Sequence, residues 1–203
     1  MKPEYWSRAK RALARRDPVM GAIMRAHPKI FLVRRGEPFM TLARAIVGQQ
    51  LSVKAAQTIW NRFAECAVKV HPKTIPGLTD ESLRGCGFSG AKVKYLRDLA
   101  RHFDEGIVKP RRWARMDDEA IITELVQVKG IGRWSVEMFL IFHLMRPDVF
   151  PVDDLGLQRA MERQYNKGKL LTKDKMRKIG APWAPWRSAA TWYLWRSLDP
   201  VNF

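Results

Sequence analysis

Apolar residues recur along this chain at the three- and four-residue spacing of amphipathic helices, and alternating strand-like runs are nearly absent. The segment 92–103 shows the pattern well, because Val93, Leu96 and Leu99 fall on one side of a helix. The basic residues lie elsewhere and form a basic face: Lys92, Lys94, Arg97 and Arg101. The pattern therefore predicts an all-α protein.

Residues that favour helix starts and ends divide the chain into segments. Asp17-Pro18 is typical of an N-cap followed by proline at the first helical position, and Asp117 is a second predicted N-cap. We expect helices at 18–26, 38–47, 51–67, 79–84, 92–103, from 117 towards the glycines near 130, at 155–164 and at 185–197.

The segment 128–132, Val-Lys-Gly-Ile-Gly, separates two apolar helical stretches. We expect both glycines to supply a positive φ and a close backbone approach. The helix that follows would present backbone amides and the positive end of its dipole to an anion such as a phosphate. Two such glycines also occur in plain tight turns between packed helices. The residues predicted to contact phosphate here are Lys129, Gly130, Ile131, Gly132 and Arg133.

Charge adds a second indication. The 203 residues carry a formal net charge of +17, with a pI near 10.4, which favours a polyanionic partner and salt-dependent binding. An apolar content of 46% is ample for a packed core. Nucleic acid is the expected partner, although a basic RNA-scaffolding protein would share this charge.

Cysteine and histidine placement argues against metal chemistry. Cys66 and Cys86 form no C-x-x-C pair, and the four histidines show no metal-ligand spacing. We expect no metal site and a reduced, cytoplasmic or nucleoid-associated protein. Lys and Arg recur through the first 16 positions, which contain no apolar segment typical of a signal peptide. The longest apolar stretch is far shorter than the roughly 20 residues that cross a bilayer, so neither a signal peptide nor a membrane partner is expected.

The hairpin, the helix after it and the loop ending in Asp153-Asp154 resemble the helix-hairpin-helix-Gly-Pro-Asp superfamily of DNA glycosylases, and in particular its DNA-3-methyladenine glycosylase II family. Segment 44–52 is similar to the loop that these enzymes insert into the DNA stack, and 185–188 to the start of their last helix. The resemblance implies two helical lobes with a DNA-binding cleft between them. Residues 30–146 would form the central lobe, and 1–29 with 147–203 the second.

The resemblance also implies a catalytic carboxylate. Asp154 is preferred to Asp153 because the alignment from Trp134 reaches it and Arg159 follows it by five positions. A carboxylate close to the sugar stabilises the oxocarbenium character that develops during glycosidic cleavage, and it can orient the attacking water. The alternative is that both aspartates only cap the next helix.

An enzyme that acts on a base must extrude it, fill the gap and hold the base in a pocket. Gln50 or Leu51 is the predicted wedge, although this loop also reads as a plain helix cap. Trp134, Met138 and Trp195 are the predicted pocket walls, against the alternative of a generic aromatic core. An indole face attracts a cationic N-alkylated purine by about 0.5–2 kcal/mol more than a neutral base. The loop residues predicted to contact DNA are Gln49, Gln50, Leu51 and Ser52.

Bifunctional members carry a nucleophilic lysine soon after the hairpin glycines, where this chain has Trp134. The resemblance thus implies a monofunctional glycosylase that acts on double-stranded DNA containing alkylated bases and leaves an abasic site. A monomer is the default expectation. No cofactor is expected beyond a monovalent cation that could bridge hairpin carbonyls and a DNA phosphate. The alternatives are a glycosylase for deaminated or oxidised bases and a noncatalytic DNA-binding protein.

Overall fold

The computed structural model describes residues 2–199; Met1 and residues 200–203, which fall in the expected second lobe, lie outside the described residues. All regular structure within 2–199 is helical, which confirms the all-α prediction. The helices are α1 Trp6–Arg16, α2 Pro18–Ala26, α3 Pro38–Gly48, α4 Val53–Ala67, α5 Asp80–Gly85, α6 Gly90–Asp104, α7 Asp118–Leu125, α8 Arg133–Phe142, α9 Leu155–Tyr165, α10 Lys173–Gly180 and α11 Arg187–Arg196. Short 3₁₀ turns occupy Pro72–Gly77, Pro110–Arg115 and Ala181–Trp183.

Side-chain caps set several of these boundaries. The carboxylate of Asp17 accepts the backbone N–H of Met20 at 3.0 Å, and that of Asp117 accepts the N–H of Ala120 at 2.7 Å. Each bond satisfies one of the amides that a helix start leaves without a partner. Both predicted caps are therefore confirmed.

Two helices, α1 and α10, were not expected. Both are rich in Lys and Arg, and their apolar residues are few: α1 buries Trp6, Ala9 and Leu13, whereas α10 buries Met176 and Gly180. So narrow an apolar stripe is hard to distinguish from a basic loop in the sequence. Packing of that stripe against the rest of the protein is what stabilises such helices.

The chain forms two compact units. The central unit is Arg35–Phe139, in which α3 packs on α4 and α6, and α6 packs on the turn Pro72–Gly77. The terminal unit comprises the residues up to Arg34 and those from Leu140 onwards, and in it α11 packs on α1, α2 and α9. The division falls inside α8, whereas the resemblance implies boundaries near residues 30 and 146.

Each unit has its own buried core. In the central unit, Phe63 makes edge contacts with Trp60 and Phe88 at centroid distances of 5.6 and 5.2 Å. In the terminal unit, Trp6 stacks on Tyr193 at 5.8 Å. None of the helices within residues 2–199 is long and apolar enough to cross a membrane.

Asp17 joins three parts of the terminal unit. Besides capping α2 through Oδ1, its Oδ2 accepts the Tyr165 hydroxyl and the Trp183 indole N–H, each at 2.8 Å. Substitution Asp17→Ala removes the cap and leaves two donors of half-buried or buried side chains without an acceptor. We expect it to lower the free energy of unfolding by about 2–4 kcal/mol, measured by urea denaturation.

Asp174→Ala is the matched control, since Asp174 is exposed and its carboxylate pairs with Arg177 of the same helix. Such a surface pair contributes about 0–1 kcal/mol. Tyr165→Phe removes one of the Asp17 bonds and should cost about 1 kcal/mol. Equal losses for Asp17→Ala and Asp174→Ala would show that water replaces the buried network without penalty.

Candidate functional site

The central unit contains the glycine hairpin, between the end of α7 and the start of α8. Gly130 has a φ of +80°, and a Cβ atom there would overlap the Tyr95 ring. Both the positive φ and the close approach expected at Gly130 are therefore present. At Gly132 they are not: its φ lies outside the left-handed region, and a Cβ atom would meet nothing within 4 Å. The expectation for Gly132 was wrong, because no neighbouring group crowds that position.

Two of the hairpin amides already have acceptors. The Lys129 N–H donates to Oδ2 of Asp98 at 2.8 Å, and the Ile131 N–H donates to the Val128 carbonyl at 3.0 Å. The Lys129 side chain is exposed, and Gly132 lies at an exposed position. Contact with an anion would therefore rest on the Lys129 side chain and the start of α8 rather than on every hairpin amide.

Arg133, the first residue of α8, has its charge compensated within the central unit. Its guanidinium pairs with both oxygens of Glu119, and its Nε lies 3.2 Å from Oε1 of Glu137. Hydrogen bonding to Glu119 raises the pKa of Arg133 and lowers that of Glu119. These two carboxylates hold the first turn of α8 in place.

The loop between α3 and α4 exposes the two residues predicted to act as a wedge. Gln50 is exposed and has a φ of 57°, and Leu51 is 39% exposed. Ser52 caps α4 by accepting the N–H of Ala55 at 3.3 Å, so the capping interpretation holds for this residue. Gln49 turns inward instead: its Nε2 donates to the carbonyl of Gly130 at 2.6 Å. The loop and the hairpin are thus bonded to each other.

The carboxylate of Asp154 lies in the terminal unit, at the start of α9. Its Oδ1 accepts the N–H of Leu157 at 2.6 Å and the indole N–H of Trp195 at 2.7 Å. A Cβ atom on Gly156 would lie 3.1 Å from the same Oδ1 and 3.2 Å from Cδ1 of Trp195, so the glycine gives the two side chains room to meet. The carboxylate is half-buried and fixed in orientation.

The neighbouring Asp153 has a different environment. It is exposed, and its carboxylate pairs with Lys173 at the start of α10. Asp154 both caps a helix and contacts an aromatic side chain, whereas Asp153 has a surface ion pair. The two aspartates, which the sequence left difficult to separate, are distinguished by these contacts.

Aromatic residues surround Trp195. The Trp195 ring stacks on Phe142 with centroids 5.8 Å apart and an interplanar angle of 15°. Trp192 meets both rings edge-on, at 5.8 Å from Phe142 and 6.4 Å from Trp195. Trp183, in contrast, is fully buried, and Trp186 stacks on Tyr5. Phe142 was not among the predicted pocket residues, because nothing in the sequence distinguishes it from the other apolar residues of α8.

Trp134 and Met138, the other two predicted pocket residues, lie one helical turn apart on α8 within the central unit. Trp134 is 47% exposed, and Met138 is half-buried. A partly exposed tryptophan of this kind is more typical of a binding surface than of a core.

The loop that leads to Asp154 is tied to the start of α11. The guanidinium of Arg187 donates to both oxygens of Asp148, at 2.7 and 2.8 Å, and the Arg187 backbone N–H adds a third bond at 3.2 Å. Ser188 accepts the Val149 N–H at 2.9 Å. Within 185–188, Arg187 and Ser188 therefore have a structural role as well, since they anchor the loop carrying the aspartates.

Comparison with known proteins agrees with this geometry. The chain matches the HhH-GPD superfamily of base excision DNA repair proteins over residues 43–185. It is 39% identical to DNA-3-methyladenine glycosylase 1 of Schizosaccharomyces pombe over 84% of this chain and 77% of that protein. The crystal structure of a DNA-3-methyladenine glycosidase from Bacillus halodurans has a TM-score of 0.87 and 31% identity, covering 95% of this chain and 89% of the other.

A second solved structure, the S. pombe 3-methyladenine DNA glycosylase in complex with abasic DNA, has a TM-score of 0.83 and 34% identity, covering 97% of this chain and 99% of the other. The family match spans more than half of the chain, and both similar structures cover nearly all of it. This chain belongs to the HhH-GPD superfamily of base excision DNA repair proteins.

Proposed function

We propose that this protein is a monofunctional DNA glycosylase that excises N-alkylated purines of the 3-methyladenine and 7-methylguanine type from double-stranded DNA. The observation that carries the proposal is the Asp154 carboxylate, held by the Leu157 amide and the Trp195 indole beside a stacked aromatic pair. Relatives named DNA-3-methyladenine glycosylase support it. A single copy of the chain would bind the damaged duplex.

In the reaction, the bond between the sugar C1′ and the purine nitrogen breaks and its electron pair leaves with the base. An N-alkylated purine carries positive charge, so it departs as a neutral molecule. The Asp154 carboxylate stabilises the oxocarbenium character at C1′ and orients a water molecule, whose oxygen bonds to C1′ while its proton passes to the carboxylate and then to solvent. The product is an abasic site.

Recognition of the base would rest on aromatic faces rather than on a hydrogen-bond template. Trp195 is one proposed aromatic contact for the base and Trp134 is another, and Met138 lies one helical turn from Trp134 on α8. An electron-rich indole favours a cationic purine over a neutral one by about 0.5–2 kcal/mol. Gln50 or Leu51 would enter the gap that the extruded base leaves in the stack.

A monovalent cation fits the hairpin chemistry. The carbonyls of Val128 and Gly130 each accept one hydrogen bond and keep a second lone pair. These oxygens would hold the ion, which would supply positive charge to a DNA phosphate. Cleavage of the glycosidic bond does not involve it.

Substitution Asp154→Asn keeps the shape of the side chain but removes its charge. We expect the single-turnover rate of methylpurine release to fall by roughly 10²–10³-fold, because charge stabilisation in the transition state is lost. Release is measured by chromatography of freed bases from methylated duplex DNA. Asp153→Asn, the neighbouring control, should stay within about threefold of the unchanged protein. Equal losses in both variants would contradict the assignment.

Strand cleavage distinguishes a monofunctional from a bifunctional enzyme. Since Trp134 stands where bifunctional relatives have a lysine, we expect no imine between protein and sugar. Borohydride added during turnover should trap no covalent protein–DNA adduct, and the strand should break only after alkali treatment. A trapped adduct that disappears in Lys129→Ala would overturn the monofunctional assignment and identify the nucleophile.

Trp195→Leu tests selection by charge. It removes the indole face and the donor to Asp154 together, and the second loss slows every substrate alike. We therefore expect the rate ratio of cationic 7-methylguanine to neutral hypoxanthine to fall by about 2- to 30-fold, equivalent to 0.5–2 kcal/mol. Competition assays on duplexes with each lesion give the ratio. An unchanged ratio would remove Trp195 from lesion selection.

A further inference from the structure

Helix α6 presents a row of three residues spaced by three positions: Lys92, Tyr95 and Asp98. Residues at this spacing share one face of a helix. Lys92 serves the loop between α3 and α4, because its Nζ donates to the carbonyls of Val47 at 2.8 Å and Gln49 at 2.9 Å. These are carbonyls at the end of α3, where no further helical amide can reach them.

The other two residues of the row hold the hairpin. The Tyr95 ring occupies the space beside Gly130, and Oδ2 of Asp98 accepts the Lys129 N–H at 2.8 Å. The hairpin and the loop are also joined directly by the bond from Gln49 to the Gly130 carbonyl. One face of α6 therefore contacts both the hairpin and the loop, and the Gln49 side chain bonds the two to each other.

Asp98 can hold the hairpin firmly because its carboxylate is ionised although it is buried. It is 9% exposed, and its Oδ1 accepts the Arg101 guanidinium at 3.0 Å. Burial opposes ionisation, but the bonds from the Lys129 N–H and Arg101, with His102 alongside, outweigh it and lower the pKa of Asp98. Bonds to an ionised acceptor are about twice as strong as neutral ones.

We propose that Asp98 and Gln49 are positioning residues, which hold the hairpin 126–132 and the loop 49–52 in one arrangement so that phosphate contact and insertion into the stack occur together. The inference rests on the function proposed above, in which both elements bind DNA. Extrusion of a base costs unstacking energy, and the open state lasts only while the gap stays filled. A loop rigidly joined to a phosphate-bound hairpin meets this need without further ordering on binding.

The test compares Asp98→Asn and Gln49→Ala with the matched control Asp104→Asn. Asp104 lies on the same helix, is exposed, and undergoes the same change of charge. Three quantities are measured: affinity for a duplex containing an abasic site, fluorescence of a 2-aminopurine placed next to that site at saturating protein, and the single-turnover rate of methylpurine release at saturating protein. The first reports the hairpin, and the second reports insertion of the loop.

We expect both variants to bind the abasic duplex about 5- to 10-fold more weakly, as for the loss of one good hydrogen bond. Even at saturation, they should show an altered aminopurine signal and release methylpurine about 10-fold more slowly. A weaker affinity with normal aminopurine signal and normal saturating rate would overturn the proposal, since the hairpin would then act independently of the loop. No change in any quantity would overturn it as well.

Failure of the positioning role can be distinguished both from failure of the proposed function and from misfolding of a variant. If the unchanged protein releases no methylpurine, the proposed function fails, yet affinity and aminopurine signal still decide the positioning role. If Asp98→Asn does not fold, as judged by circular dichroism, Gln49→Ala decides the matter, because Gln49 is a half-buried loop residue outside every helix.

Discussion

The bond from the Lys129 amide to the buried carboxylate of Asp98 is the contact on which the central unit's functional surface depends. A carboxylate at 9% exposure is costly unless donors surround it. The Lys129 amide and the Arg101 guanidinium supply them, and they prevail over burial, since the pKa of Asp98 is lowered. If the hairpin moved away from α6, the buried carboxylate of Asp98 would lose the Lys129 donor. The cost of that loss holds a short glycine-containing turn in one conformation.

The terminal unit uses carboxylates in the same way at three helix starts. Asp17 caps α2 and Asp154 caps α9, while Asp148 accepts the first amide of α11 together with the Arg187 guanidinium. Capping places a carboxylate at the positive end of a helix dipole, where its negative charge is stabilised. At Asp154 the Trp195 indole adds a second donor. Capping and the proposed catalysis are thus compatible, because the two bonds to Oδ1 fix the orientation of the carboxylate.

Local signals in the sequence were sufficient for most helices, since a cap such as Asp117 or a stripe of apolar residues acts within one element. They failed for α1 and α10, because a few buried residues among many Lys and Arg residues give too weak a local signal. Long-range contacts within the site set a second limit. Gln49 was expected to contact DNA, but its side chain bonds Gly130, 81 positions away, and Asp98 was not singled out although it holds the hairpin. Contacts of such separation leave no periodic trace in one sequence.

The basic face predicted for α6 illustrates the point further: Lys92 bonds backbone carbonyls, and Arg97 bonds Asp80 and the Leu78 carbonyl. A net charge of +17 therefore does not mark each cation as a DNA contact. Long-range attraction brings the protein to DNA without discriminating bases. In the proposed reaction, damaged and normal bases must be distinguished after DNA is bound. A cation–π preference of about 0.5–2 kcal/mol is too small to do this alone. The leaving group supplies the remaining discrimination, because an N-alkylated purine departs as a neutral base without prior protonation. A fixed carboxylate near C1′ is therefore enough to break its glycosidic bond, while the stronger bond of a normal purine persists.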